Sequence, residues 1–150
     1  MNRDAAITSR IMAAVKNTGT RPELALRREL FRRGLRYRVR TRVLGHPDIV
    51  FPTERIACFV DGDRWHGNGW KIRGLESFEA EFGHRNAQFW KEKITRNMRR
   101  DQDVNRGLEH DGWTIVRVWA SEVERDVTAV ADRVETTVRA SRQRRTDTGR

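Results

Sequence analysis

The chain has 150 residues, 37% of them hydrophobic and 35% charged, which fits one soluble domain with a hydrophobic core. Lysine and arginine total 31 against 21 acidic residues, so the net charge of +10 favours polyanionic partners such as nucleic acids. The single cysteine, Cys58, excludes an internal disulfide and any zinc site built from several cysteines. Neither a stretch of ~20 apolar residues nor a secretory signal is visible, and we expect no membrane association and a cytoplasmic location.

Two helices are predicted in the first third of the chain. Residues 3–17 have apolar side chains at helical spacing, namely Ile7, Ile11, Met12 and Val15. After a break at 17–19, Thr20 with Glu23 fits a capping box that would open the second helix. Gly34 is the residue expected to end it.

Three short strands are predicted next. The segments Tyr37–Val43, Asp48–Phe51 and Arg55–Val60 are rich in β-branched and aromatic residues and are separated by turn-forming residues. Residues 61–85 are irregular and rich in Gly, Asp and Trp, and a loop of this length in a compact domain is usually functional or disordered.

The second half of the chain predicts a helix, a strand and a helix. A long helix is expected from about Asn86 to His110, and a buried strand over Trp113–Trp119. Ser121 with Glu124 fits a second capping box. Valines follow at helical spacing, at Val123, Val127, Val130, Val134 and Val138.

This order of elements predicts the α/β class. Closely connected strands followed by helix, strand and helix suggest a single-domain sandwich in which a mixed central β-sheet is flanked by helices. We expect residues 1–140 to form this domain and residues 141–150 to be a disordered basic tail.

Acidic residues lie at the ends of two predicted strands. Asp48 opens the strand Asp-Ile-Val-Phe, and the next strand runs into Asp61 and Asp63. Such an arrangement can place oxygens around one Mg²⁺, although Gly-His-Pro-Asp is also ordinary turn chemistry and by itself explains Asp48. Pro-Asp, a short hairpin and an acid on the next strand resemble the restriction-endonuclease core, but the lysine usual there is missing.

His66 is the available general base, because it follows these acids within a few residues. A lone histidine is more often a surface or packed residue. Asn97 and Asp101 lie on the stripe of the long helix that should face the core, so they need partners. Asp101 would either orient His66 or pair with an arginine, and Glu23 would either cap its helix or lean into the site.

Taken together in chain order, these pieces resemble the very-short-patch-repair endonucleases and their homing-endonuclease relatives. The matching segments cover nearly the whole chain. They are Ser9–Met12, Pro22–Glu23, Gly45–Val50, Phe59–Gly67, Phe89–Ile94, Asn97, Arg100–Asp101, Leu108, Gly112–Trp113 and Val118–Trp119.

The resemblance implies a restriction-endonuclease-like fold and Mg²⁺-dependent hydrolysis of a DNA phosphodiester, with strand nicking of the very-short-patch mismatch-repair type. By position, the catalytic and supporting groups are Asp48, His66, Asp61, Asp101 and Glu23. The metal would be held by Asp48, by the backbone carbonyl of Val60 and by Asp61, which falls where some members have histidine.

The resemblance also implies contacts with double-stranded DNA. Trp65 and Met12, the latter on the N-terminal helix, would insert between base steps, and Arg64 and Asn97 would also contact DNA. Arginines within 27–42 and 96–106 would contact phosphates. Trp65 has an alternative interpretation, in which it packs against Trp70 or the start of the long helix. Arg64 stands where members have an aromatic residue, which predicts a weaker mismatch preference.

The family's structural zinc is not expected here. Members often hold it with cysteines and histidines around the Trp-His segment and near the last strand, where this chain has Asp63, a stretch rich in Gly and Asn, and Ser121. Two alternatives to a mismatch-directed nicking enzyme stay open. One is a restriction or modification-dependent nuclease on the same fold, and the other is a non-catalytic DNA-binding protein.

Overall fold

The computed structural model describes residues 19–82 and 86–149. The described elements, in chain order, are α1 (Arg21–Arg32), β1 (Ile49–Phe51), β2 (Ile56–Asp61), α2 (Gly69–Ile72), a 3₁₀ turn (Glu79–Phe82), α3 (Ala87–His110), β3 (Thr114–Trp119), α4 (Ala120–Arg125) and α5 (Val127–Thr148). The helix predicted over 3–17, with Met12, lies outside the described residues. Among the described helices, none has the length and apolar character needed to cross a membrane.

The three strands form one mixed sheet in the order β1, β2, β3. β1 pairs antiparallel with β2, with Ile49 opposite Cys58. β2 pairs parallel with β3, which sets Phe59 opposite Arg117 and Asp61 opposite Trp119. The predicted α/β class with a mixed sheet is therefore confirmed.

Both faces of this sheet are buried, which explains why its strands are nearly continuous apolar runs. Alternate residues of β2 point to opposite faces. Ile56 and Cys58 pack in a large cluster with buried side chains of α1, α4 and α5, whereas Ala57 and Phe59 pack with Leu108 of α3. The sheet thus lies between α3 on one side and the other long helices on the other.

The strand predicted over Tyr37–Val43 is wrong, because only one bridge of it forms. Arg38 exchanges two backbone hydrogen bonds with Val50, at 2.8 and 2.9 Å. At Arg40 the backbone has φ +55°, a left-handed conformation that ends extended pairing.

The helix starts also differ from the predicted capping boxes. Glu23 accepts from Gly19 N at 2.9 Å rather than from Thr20. At the second site, Glu122 accepts from Trp119 N at 3.1 Å, so α4 starts one residue before Ser121. The valine-rich segment is split into two helices, because the Asp126 side chain accepts from Ala129 N at 3.0 Å and starts α5.

The C-terminal residues are helical, and the disordered tail predicted from Ser141 is wrong as far as Thr148. The Ser141 hydroxyl is buried and donates to the carbonyl of Glu54 at 3.1 Å. Arg142 pairs with the Glu54 carboxylate at 2.9 Å, and Arg145 donates to the carbonyl of Thr53 at 3.0 Å. These contacts attach the end of α5 to the β1–β2 turn. The polar sequence of this segment does not predict them.

Arg33 joins α1 to α5. It contacts Glu29 at 3.0 Å on its own helix and reaches Asp132 at 2.7 Å and Glu135 at 3.1 Å across the interface. Hydrogen bonds from Arg32 and then Arg33 lower the pKa of Glu29 from 4.5 to about 2.

We predict that acid weakens the ion pairs of Glu29 with Arg32 and Arg33. Because the pKa of Glu29 is lower in the folded than in the unfolded chain, its contribution is complete above the ordinary value of 4.5 and is lost as the pH falls towards about 2. Urea unfolding should therefore show a smaller stability difference between wild type and Glu29→Gln at about pH 2 than at about pH 6. Glu109→Gln, on the exposed end of α3, is the control. A difference for Glu29→Gln that stays constant with pH would contradict the prediction.

Candidate active site

Asp48 is held against the end of β2. Its backbone N–H donates to the Cys58 carbonyl at 2.9 Å, which extends the β1–β2 ladder by one residue. Its carboxylate Oδ2 accepts from Val60 N at 2.7 Å. The hairpin therefore fixes both the backbone and the side chain of Asp48 next to the strand that ends in Asp61.

The surroundings of Asp48 disfavour its negative charge. Burial raises the pKa of Asp48 to about 7, against the lowering effect of the Val60 N–H, and the charges of Glu23 and Asp61 raise it further. Glu23 and Asp61 each have an arginine partner, Arg27 and Arg117. In the part of the chain that the structure describes, the Asp48 carboxylate has only the Val60 N–H. Of these three acids, Asp48 is the one that has no arginine ion pair among the described residues.

Glu23 reaches this site from the first turn of α1. It is 2% exposed and forms an ion pair with Arg27, one helical turn later. Arg27 also donates to the backbone carbonyl of Asp48 at 3.3 Å, and its own carbonyl accepts from the Tyr37 hydroxyl at 3.0 Å. Glu23 therefore supports Asp48 through Arg27, a residue that the sequence did not single out.

His66 meets an aspartate from α3. Its Nδ1 lies 2.5 Å from Asp101 Oδ2 and 3.9 Å from Asp61 Oδ1. Burial works against a charged imidazole, but the hydrogen bond to Asp101 and the charges of Asp61 and Asp101 outweigh it, so the pKa of His66 is raised. Because an ionised carboxylate only accepts, Nδ1 carries the hydrogen, and Nε2 is the nitrogen that can take up a proton.

The turn that carries His66 is tightly closed against α3. His66 N donates to the Gly62 carbonyl at 3.2 Å, and Asn97 of α3 donates to the Trp65 carbonyl at 3.0 Å. Gly67 has φ +90°, and a Cβ there would lie 2.5 Å from the sulfur of Met98. Only glycine combines that backbone conformation with such close packing, so the sequence Trp-His-Gly fits this turn.

Three polar side chains attach the other end of the turn to α4. Asp63 Oδ1 accepts from the Ser121 hydroxyl at 2.6 Å and from Asn68 Nδ2 at 2.8 Å. Asp63 Oδ2 accepts from Ser121 N at 2.9 Å. We call Asp63, Asn68 and Ser121 the polar staple. Ser121 therefore binds Asp63 instead of forming the predicted second capping box.

Trp65 packs on the start of α3, as its packing interpretation expects. Its ring centroid lies 5.3 Å from that of Trp90, and the side chain is half-buried. The exposed Arg64 places its guanidinium carbon 5.3 Å from the Trp65 ring and 5.7 Å from the Trp90 ring. Arg64 and Trp65 thus form one cationic and aromatic surface next to His66.

Arg117 is a second site residue that sequence reasoning did not single out. It pairs with Asp61 at 3.0 Å and lies 3.6 Å from Asp101, and it donates to Asn105 at 2.7 Å. The signal was present, because an arginine within the apolar strand Trp113–Trp119 needs buried acceptors.

The fold brings the predicted catalytic residues together in one place, namely Glu23, Asp48, Asp61, His66 and Asp101. Ligand atoms of Asp61, His66 and Asp101 all lie within 4.8 Å of one another. Asn97 contacts the backbone of Trp65, and Met12 lies outside the described residues. The arrangement combines an oriented imidazole, buried carboxylates and a basic surface.

Comparisons with known proteins agree on one family. The family model described as DNA mismatch endonuclease Vsr matches residues 3–72. A type II nicking enzyme of Neisseria meningitidis serogroup C, V.NmeDIP, is 40% identical over 129 residues, which cover 85% of this chain and 83% of that protein.

Two further relatives extend this similarity. The type II nicking enzyme V.HpaIIP of Haemophilus parainfluenzae is 44% identical over 112 residues, which cover 74% of this chain and 75% of the relative. The DNA mismatch endonuclease Vsr of Escherichia coli (strain K12) is 33% identical over 118 residues, which cover 77% of this chain and 70% of the relative.

Proposed function

We propose that this chain, which belongs to the family of the DNA mismatch endonuclease Vsr and is a DNA endonuclease, nicks one strand of duplex DNA. In this proposal Asp48 holds Mg²⁺, and His66 is the general base. The observation that carries this proposal is the 2.5 Å contact between His66 and Asp101, next to Asp61, whose charge also acts on Asp48. The mixed sheet with carboxylates at the end of β2 supports a restriction-endonuclease-like fold.

The residues around Asp48 fit a hard divalent ion. Its carboxylate is half-buried, has a raised pKa and forms no ion pair with an arginine among the described residues, so a cation would satisfy it. Val60, whose N–H already touches this carboxylate, would offer its backbone carbonyl as a second ligand. When bound, Mg²⁺ supplies positive charge to the phosphate and the leaving oxygen.

His66 moves the proton. Its Nε2 takes the proton of the attacking water, while Asp101 holds Nδ1 and fixes the direction of the ring. The imidazolium that results is stabilised by Asp101 and by Asp61 at 3.9 Å. Asp101 therefore positions the base and favours its protonated state. A protein that only binds DNA needs no such pair, which argues against a non-catalytic role.

Duplex DNA is bound through charge and through the surface of Arg64 and Trp65. The net charge of +10 favours the phosphate backbone. Trp65 contacts bases, Arg64 reaches a phosphate or a base edge, and Asn97 holds the Trp65 backbone behind them. Relatives named nicking enzymes and a relative named a mismatch endonuclease favour nicking beside a mismatch over double-strand restriction.

We predict that Asp48→Ala and His66→Ala each lower the nicking rate by at least about 100-fold while DNA affinity stays near wild type, since one residue holds the metal and the other takes the proton of the attacking water. The rates would be measured on supercoiled plasmid and on a G·T-mismatched duplex with Mg²⁺. Asp103→Ala and His110→Ala, exposed on α3, are matched controls. Wild-type cutting by either site variant would show that the site is wrongly assigned.

We propose that this chain has no structural zinc and that the polar staple holds the His66 turn instead. Elemental analysis should find no stoichiometric zinc, and a chelator should leave the thermal midpoint unchanged. Asp63→Ala, which leaves the Ser121 and Asn68 donors unpaired, should cost about 1–3 kcal/mol of unfolding free energy, and Ser121→Ala about 0.5–1.5 kcal/mol. One equivalent of zinc that survives chelation would overturn this.

Trp65→Ala should weaken DNA binding about ten-fold or more, equivalent to ~1.4 kcal/mol, because one stacked base is lost. Trp65→Phe, which keeps an aromatic face, should bind better than Trp65→Leu, which keeps only the apolar contact with Trp90. Equal affinity of these two variants would make Trp65 a packing residue. Because Arg64 replaces an aromatic residue, the wild-type preference for a G·T duplex over a matched one should be weaker than in typical family members, and a strong G·T preference would refute that expectation.

A further inference from the structure

The position of Arg117 follows from the sheet. In the parallel register Arg117 of β3 lies opposite Phe59 of β2. Asp61 is two residues after Phe59 on β2, so the side chains of Phe59 and Asp61 point to the same face of the sheet. The guanidinium carbon lies 4.0 Å from the centroid of the Phe59 ring. Beyond the ring, Nη1 reaches both carboxylate oxygens of Asp61, at 3.0 and 3.2 Å.

The other side of the same guanidinium faces α3. Asp101 and Asn105 are four residues apart on this helix and so share one face. Arg117 Nε donates to Asn105 at 2.7 Å, Nη1 lies 3.6 Å from Asp101 Oδ1, and Nη2 lies 3.5 Å from the Asp101 carbonyl. One side chain, 19% exposed, thus connects the two carboxylates that flank His66.

The two carboxylates and His66 have the spacing of a metal site. Their ligand atoms lie within 4.8 Å of one another. We propose that Arg117 is a built-in cation of the active site, which occupies the place of a divalent ion between Asp61 and Asp101 and positions Asp101 against His66. The cluster of Asp61, Asp101 and His66 then binds no metal ion, and Asp61 pairs with Arg117 instead of coordinating the metal.

A single fixed positive charge suits the chemistry of His66 better than a divalent ion. A metal at this place would coordinate the imidazole or repel the proton that the base must accept. Arginine has no coordination site, stays protonated and brings one charge against two carboxylates. Arg117 therefore contacts both acids while the Asp101 carboxylate keeps its hydrogen bond with His66.

This inference rests on the proposed function only for the identity of the base. If it holds, the divalent metal of the active site is held at Asp48 and not by the cluster of Asp61, His66 and Asp101. Arg117 is a positioning residue, since it acts on Asp101 and Asp61 and not on the phosphate.

Binding of Mn²⁺ tests the inference without DNA. Electron paramagnetic resonance would count the Mn²⁺ ions bound to wild type, Arg117→Met, Arg117→Lys and the double variant Arg117→Met/Asp61→Asn. Methionine keeps the apolar stem over Phe59 and removes the charge. We expect Arg117→Met to bind one ion more than wild type, and the lysine and double variants to bind the wild-type number. Arg133→Met, which breaks a surface pair with Glu122, is the matched control.

Kinetics add a readout that a purely structural role would not move. Arg117→Met should lower kcat for nicking about ten-fold or more with little change in KM, and Arg117→Lys should recover part of the loss. An unchanged Mn²⁺ count in folded Arg117→Met would overturn the inference, as would a kcat equal to that of wild type.

Asp61→Asn in the native chain covers the case in which Arg117→Met does not fold. Wild-type binding by Asp61→Asn supports the inference, and loss of one ion overturns it. The assignment of the metal to Asp48 is tested separately by Asp48→Ala. If wild type binds no ion and Arg117→Met binds one, the inference stands and that assignment fails.

Discussion

The parallel pairing of β2 with β3 is the constraint on which the site depends. It brings residues almost 60 positions apart into register, so that Arg117 lies opposite Phe59 and reaches Asp61. The antiparallel pairing of β1 with the same strand adds Asp48 from the other side. Because β2 is the middle strand, both neighbours deliver side chains to its end. A three-stranded sheet is sufficient for this, provided that helices cover both of its faces.

Charge balance sets the different roles of similar residues. Glu23, Asp48 and Asp61 are all acids removed from water, and burial makes each charge costly unless a cation lies nearby. Two of them have arginine partners, Arg27 on the same helix as Glu23 and Arg117 on the strand next to that of Asp61. Among the described residues Asp48 has only a backbone N–H, and its pKa is the one raised to about 7. The same residue type is therefore ion-paired at one position and, in the proposed function, available for a metal ion at another.

Local patterns in the sequence predicted the elements that depend on local physics. The long helix, the strands around Asp48 and Asp61 and the apolar strand Trp113–Trp119 were foreseen, because periodicity and turn residues are properties of neighbours. The stripe on the long helix also pointed to Asp101 as a partner of His66. The missed features depend on distant partners. No local pattern predicts that the helix is anchored to Glu54 at Ser141, or that Asp63 binds Ser121.

The anchoring of α5 on the β1–β2 turn has a consequence for how the protein is made. Its contacts join Thr53 and Glu54 to Ser141 and Arg145, so the hairpin that holds Asp48 is completed by residues 87 to 92 positions later in the chain. Asp61 likewise waits for Arg117, which follows it by 56 positions. A nascent chain therefore carries Asp48 and Asp61 well before β3 can pair with β2. A fragment that ends before β3 has these acids without the arginine and the strand that hold Asp61 in place.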